Sequence, residues 1–233
     1  MLVARTKLAA LILFAFASTS VAASPDDWAN LARYRDANGA LAPTDSRRVV
    51  FMGDSITEGW GKGAFIHANP HFVDRGISGQ TAPQMLVRFR SDVLQLKPAV
   101  VHIMAGTNDI AGNTGPETEN EAFGYIVSMV QLATANHIKV VLASVPPAAD
   151  FWWKHGVDPA PKIRSLNIRL KNYARRHDIP YADYWHVLAT SGGAMNARYA
   201  DDGVHPNARG YEAMRPIAQA AIARAMSDRI PRS

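Results

Sequence analysis

Apolar residues recur along this chain in two rhythms. Short runs with almost no polar interruption fall at Arg48-Val49-Val50-Phe51-Met52, which stops at Gly53, at His71-Phe72-Val73, at Ala99 to Met104 and at Lys139 to Ser144. Runs of this kind read as strands covered on both faces. Tyr181 to Tyr184 reads as a fifth, shorter one. Between them the spacing lengthens to the helical period. Thr81 to Lys97 carries Met85, Leu86, Phe89, Val93, Leu94 and Leu96, and Ile163 to Arg176 reads the same way. Thr118 and Glu121 have the spacing of a capping box, opening a helix that should run to about Ala135. The chain closes in helix from about Ala208, with Pro216 expected to restart it. Ahead of the first strand, Trp28, Leu31 and Tyr34 at intervals of three predict a small helix over Asp26 to Ala37. Pro146 to Pro161 is a long loop.

Strand and helix alternating about five times imply an α/β fold, a mostly parallel sheet with helices on both faces. Such sheets place their sites at the carboxyl ends of the strands. No internal repeat or linker interrupts the pattern. With 233 residues, 48% of them apolar, the chain is long enough for one sizeable core without disulfide or metal support. There is no cysteine, which removes thiol catalysis, redox pairs and thiolate-held metals.

The first residues have the pattern of an address. Arg5 and Lys7 precede the apolar stretch Leu8 to Ala17, and small residues end in Val21-Ala22-Ala23. This predicts a secretory signal peptide over residues 1–23 and a catalytic domain over 24–233, with its core at about 48–226. The expected location is the periplasm or the medium, with no stable membrane span once the leader is removed. Without Arg5 and Lys7 the chain has 23 basic and 20 acidic residues, too even a balance for a nucleic-acid binder. The remaining histidines show no compact ligand spacing, so neither metal nor cofactor is expected.

The loops after the first three strands carry the chemistry. They contain Gly53-Asp54-Ser55, then Arg75-Gly76-Ile77-Ser78-Gly79-Gln80, then Gly106-Thr107-Asn108-Asp109, all on one edge of the sheet. Asp201-Asp202-Gly203-Val204-His205-Pro206 precedes the last helix. A serine, a histidine, an acid and several amide donors are what acyl transfer needs. The serine requires a base, the base an orienting partner, and the tetrahedral intermediate donors for its oxyanion. Ser55 is read as nucleophile, His205 as general base and acid, and Asp202 as the group that orients the imidazole. The backbone N–H groups of Ser55 and Gly79 and the side-chain amide of Asn108 are read as the oxyanion hole. Asp201 is a rival for the acid and Gly76 for the close-approach glycine.

These four blocks, in order from about Val49 to Met226, resemble the SGNH hydrolases, also called GDSL esterases and lipases. The family letters fall on Ser55, Gly79, Asn108 and His205. Ile56 stands where the family name has Leu, and Asp74 where many relatives have Asn. The resemblance implies a three-layer α/β/α, flavodoxin-like domain with about five parallel strands, no metal, and hydrolysis of esters or thioesters through an acyl-enzyme. It is nearest to the compact single-domain branch similar to platelet-activating-factor acetylhydrolase subunits. The Gly-x-Ser-x-Gly elbow of α/β-hydrolases is missing, since Thr57 holds its last position.

The expected partner is a small ester, a short acyl group and above all acetyl, carried on a carbohydrate or a lipid-derived alcohol. Trp60, Phe151, Trp152 and Trp153, in loops on the same edge, are the candidate substrate contacts. Gly59 to Gly63 reads as a flexible loop beside Ser55. Two other functions stay open, a thioesterase or lysophospholipase, and a carbohydrate- or lipid-binding protein with a vestigial site. The oligomeric state is left open as well.

Overall fold

The three central strands end level with one another. In the computed structural model, which describes residues 26–227, β1 (Val49–Gly53) lies between β2 (Phe72–Gly76) and β3 (Val100–Met104), and Gly53 stands opposite both Gly76 and Met104. β4 (Lys139–Ala143) and β5 (Tyr181–Ala182) complete a five-stranded, all-parallel sheet in the order β2-β1-β3-β4-β5. That is the flavodoxin-like order, whose switch point lies between β1 and β3. The residues read as a leader, 1–23, lie outside the described residues.

The helices follow in chain order: α1 (Arg35–Gly39), α2 (Ser55–Gly61), α3 (Ala64–His67), α4 (Ala82–Asp92), α5 (Thr107–Ala111), α6 (Glu119–Ala135), α7 (Pro159–Arg176), α8 (Tyr184–Leu188) and α9 (Ala208–Ser227). Alternation along the strands assigns them to layers. Val50, Met52, Val101, Ile103, Val140 and Leu142 pack with Met85 and Phe89 of α4, Ile126 and Met129 of α6, and Ile163, Leu166 and Leu170 of α7. The intervening residues Val49, Phe51, Val100, Met104 and Val141 pack with Ile56 and Trp60 of α2, Tyr184 and Leu188 of α8, and Met214, Ala218 and Ile222 of α9. Each large apolar side chain buried this way contributes about 1.5–3 kcal/mol.

Local chemistry redraws several boundaries. Residues 26–34 form turns, and helix is confined to α1. The Asp27 carboxylate accepts from the N–H groups of Leu31 and Ala32, and Asn30 takes a left-handed φ of 56° that a helix cannot contain. The fifth strand stops at Ala182, because Asp183 caps α8 by accepting from the N–H of His186. The last helix runs unbroken through Pro216 rather than restarting there. Its apolar stripe, Met214, Ala218, Ala221, Ile222 and Ala225, continues across the proline and offsets the hydrogen bond lost.

The glycine-rich stretch after Ser55 is helical for most of its length. A Cβ at Gly59 would sit 2.4 Å from the Tyr211 hydroxyl oxygen, and one at Gly61 would sit 2.3 Å from the Asp74 carboxylate. These glycines answer to close packing, which corrects the expected flexible loop.

Candidate active site

β1 delivers Ser55 to the carboxyl edge of the sheet by turning directly into α2. Asp54 caps that helix, its Oδ1 accepting from the N–H of Ile56 at 2.9 Å, and Ser55 is the first helical residue. Burial raises the Asp54 carboxyl to about 6, against the hydrogen bond from Ile56 and the attraction of His205.

The histidine arrives from the far end of the chain. Gly203, at a φ of 78°, lets the loop double back so that Asp202 Oδ1 accepts from the N–H groups of Val204 (2.9 Å) and His205 (2.8 Å). The next turn is pinned by the antiparallel bridge between Ala200 and Pro206 and by Asn207, whose Oδ1 accepts from the first-turn N–H groups of Arg209 and Gly210. His205 Nδ1 then lies 2.6 Å from Asp202 Oδ2, and its Nε2 lies 2.8 Å from Ser55 Oγ. Because ionised Asp202 can only accept, Nδ1 carries the proton and Nε2 turns its lone pair to the serine hydroxyl. Partial burial works to raise the Asp202 carboxyl, but the hydrogen bonds from the His205 side chain and from the N–H groups of His205 and Val204 outweigh it and hold the group below its ordinary value. Asp201 accepts from Asn207 Nδ2 at 3.2 Å, so its contact lies with the turn.

β2 leads into a turn closed by the N–H of Gln80 donating to Ile77 O, with Gly79 at a φ of 79°. Glycine suits that position because a side chain there would be strained. Gly76 serves another purpose: a Cβ on it would fall 2.1 Å from the backbone nitrogen of Glu58, so it lets β2 meet α2. The turn is held from several sides. Glu58 Oε2 accepts from Ser78 N–H, Asn113 Nδ2 donates to Gly79 O at 3.1 Å, and Asn108 Nδ2 donates to Gln80 O at 3.0 Å. The second contact of Asn108 Nδ2, to Asp54 Oδ2, is long at 3.4 Å, which leaves one amide hydrogen weakly engaged.

Asn108 and Asp109 sit in α5, a helix too short to show a periodicity. Asp109 is buried, and its Oδ1 accepts from the N–H of Ala82 at the start of α4. Burial raises this carboxyl to about 7, helped by the neighbouring Glu117. Among the described residues no three histidine or acidic side chains come together as a metal would require.

The four aromatics expected to meet substrate divide in two. Trp60 is 1% exposed and stacks on Tyr211 inside the α2–α9 layer, and Phe151 is fully buried under its loop. Neither has surface to offer, which corrects that expectation: apolar side chains on a loop can point inward as readily as out. Trp152 is 60% exposed, and the ring of Trp153 lies 6.3 Å from that of His205. Asn113, which touches both Gly79 and Asn108, is absent from the sequence reading. Its only signal there is a polar residue next to Gly112.

A five-stranded parallel sheet between two helical layers, with a serine, a histidine and a carboxylate aligned at its carboxyl edge, defines a hydrolase of the α/β/α kind. Residues 51–213 match the model of the GDSL-like lipase/acylhydrolase family, and the chain belongs to that family. It is similar to two solved structures from Bacteroides. One is an acylhydrolase candidate of Bacteroides fragilis, with 51% identity over 86% of this chain and 99% of that one and a TM-score of 0.83. The other is a GDSL-like lipase of Bacteroides thetaiotaomicron, with 47% identity over 84% and 98% and a TM-score of 0.81. The uncharacterized lipoprotein YqeF of Bacillus subtilis is 29% identical over 144 residues, 54% of this chain and 59% of its own length. Among the described residues no helix is long and apolar enough to cross a membrane.

Proposed function

We propose that this protein is an exported serine esterase that removes short acyl groups, acetyl above all, through an acyl-enzyme. The observation that carries the reading is the line of hydrogen bonds from Ser55 Oγ to His205 Nε2 and from His205 Nδ1 to Asp202 Oδ2. In the first half-reaction Ser55 Oγ attacks the ester carbonyl while its proton passes to Nε2. The N–H groups of Ser55 and Gly79 and the Asn108 amide receive the oxyanion. The imidazolium, stabilised by Asp202, then protonates the departing alcohol. Water attacks the acyl-enzyme by the same route in reverse, releasing the acid and restoring Ser55.

A short acyl group is supported by the Trp153 ring standing beside His205, fixed by stacking on Phe151 at 4.9 Å between centroids. An acetylated sugar as the alcohol is supported by the exposed face of Trp152, which can stack on a ring. Export is supported by the leader pattern of residues 1–23 and by the lipoprotein nature of YqeF. The test is hydrolysis of p-nitrophenyl esters from acetate to palmitate, with Ser55→Ala beside the parent. Acetate turnover that is lost in Ser55→Ala and falls with chain length is expected. A preference for long chains or for thioesters would replace this reading with a lysophospholipase or thioesterase. A folded parent that neither turns over ester nor takes a fluorophosphonate on Ser55 would end it.

A further inference from the structure

The amide of Asn113 stands between two of the three proposed oxyanion donors, Gly79 and Asn108, and the Trp153 ring beside His205. α5 ends at Gly112, whose φ of 71° reverses the chain, and the N–H of Asn113 then donates to Asn108 O at 3.0 Å. This reversal lays the Asn113 side chain back over the start of the helix. Its Nδ2 is 2.9 Å from Asn108 Oδ1 and 3.1 Å from Gly79 O, and its Oδ1 is 3.0 Å from Trp153 Nε1.

The direction of this chain is fixed by chemistry. An indole N–H can only donate, so it must meet the oxygen of the Asn113 amide and not its nitrogen. The nitrogen is thereby turned toward Asn108, where it can meet only the oxygen of that amide. Asn108 must then present its own nitrogen to Gln80 O and to Asp54 Oδ2. An amide free to rotate by half a turn would offer the oxyanion an acceptor in half of its orientations. The second hydrogen of Asn113 Nδ2 holds the Gly79 carbonyl and so the tilt of the turn whose N–H faces the site.

We propose that Asn113 is a positioning residue for the hydrolytic reaction, setting the orientation of both Asn108 and Gly79, and that Trp153 sets the orientation of Asn113. This rests on the esterase reading above. Because the Trp153 ring also lies 6.3 Å from that of His205, a substrate that presses on it acts on Asn108 and on Gly79 through two consecutive hydrogen bonds each.

The experiment measures kcat and KM on p-nitrophenyl acetate for Asn113→Ala, Asn113→Asp and Trp153→Phe. Each is normalised to the fraction of protein that a fluorophosphonate labels at saturation, and thermal midpoints are recorded. Asn113→Ala is expected to lower kcat about 10-fold to 100-fold with KM within about twofold, less than the 10²–10³ of removing an oxyanion donor outright. Asn113→Asp keeps the size and the acceptor for Trp153 but sets an oxygen against Asn108 Oδ1 and Gly79 O. It should lose at least as much as Asn113→Ala, whereas a merely space-filling role would leave it nearly active. Trp153→Phe should lose less, and Asn113→Ala placed on Asn108→Ala should cost less than it does on the parent. Per-site kcat within twofold of the parent in both Asn113 variants overturns the proposal, as does full additivity with Asn108→Ala. Ser55→Ala separates the two readings: if it stays active the esterase mechanism fails, and if it is dead while Asn113→Asp is fully active only the positioning role fails.

Discussion

Nη2 of Arg88 donates to the carbonyl oxygens of Gly53 at 3.0 Å and Arg75 at 2.8 Å, so one buried guanidinium ties together the ends of β1 and β2. Its Nη1 reaches Asp92 at 3.1 Å, and its Nε reaches the side chain of Gln80. Arg88 therefore connects the strand that delivers Ser55 to the turn that carries Gly79. Replacing it with Met leaves Asp92 and two carbonyls without their partner in the interior, and stability should fall by about 3–5 kcal/mol. Urea unfolding of Arg88→Met measures this. Adding Asp92→Leu should recover part of the loss, since the stranded charge goes with it.

Asp202→Asn separates the two duties of that carboxyl. Asparagine can keep Oδ1 on the N–H groups of Val204 and His205, so the loop should hold its shape. It cannot accept from Nδ1 with its amino group, and the imidazole is left in the wrong tautomer. A fall in kcat of about 10²–10⁴ with an unchanged unfolding midpoint is expected. Retention of kcat would transfer the orienting role elsewhere.

The buried carboxyls give stability a distinctive dependence on pH. Burial raises Asp109 to about 7 and Asp54 and Asp74 to about 6, so the folded chain holds these protons more tightly than the unfolded one. Their contribution is fully present below the ordinary aspartate range of about 4 and is lost as pH rises through 6 to 7. Asp109→Asn, which preserves an acceptor for the N–H of Ala82, should flatten the decline in urea midpoint between pH 5 and pH 8. An equal decline in parent and variant would place the titration on another group.

Trp60 and Trp152 should respond in opposite ways to alanine. Trp60 meets Phe51, Phe65, Tyr184 and Tyr211 in a closed cluster, and its loss should cost about 3–5 kcal/mol. Trp152 is largely exposed, and its loss should change stability by no more than about 0.5 kcal/mol. On an acetylated oligosaccharide, Trp152→Ala should raise KM, while p-nitrophenyl acetate should show no such change. A KM unaltered on both substrates would remove the stacking role.

What the sequence makes legible follows the range of the interaction. Val49 to Met52 and Ala99 to Met104 announce buried strands because every residue faces a helical layer. Ser55, Gly79, Asn108 and His205 stand out as candidates because each lies within four residues of the end of a strand or the start of a helix. Asn113 escapes, since its neighbours Gly79 and Trp153 are 34 and 40 residues away and meet it only after Gly112 reverses the chain. Gly59 and Gly61 mislead for a related reason: composition does not distinguish a glycine that frees the backbone from one that makes room for Tyr211 or Asp74. Residues 26–34 have helical spacing, yet Asn30 and the Asp27 carboxylate turn the chain before a helix can form.

Ser55 and His205 are 150 positions apart, the first at the start of α2 and the second on the loop that leads into α9. A ribosome must add 150 residues after Ser55 before the imidazole that meets it exists. Chains cut short before residue 205 would keep the serine and lack the imidazole beside it. On the esterase reading, reactivity of Ser55 toward a fluorophosphonate therefore counts the chains in which His205 has reached its place.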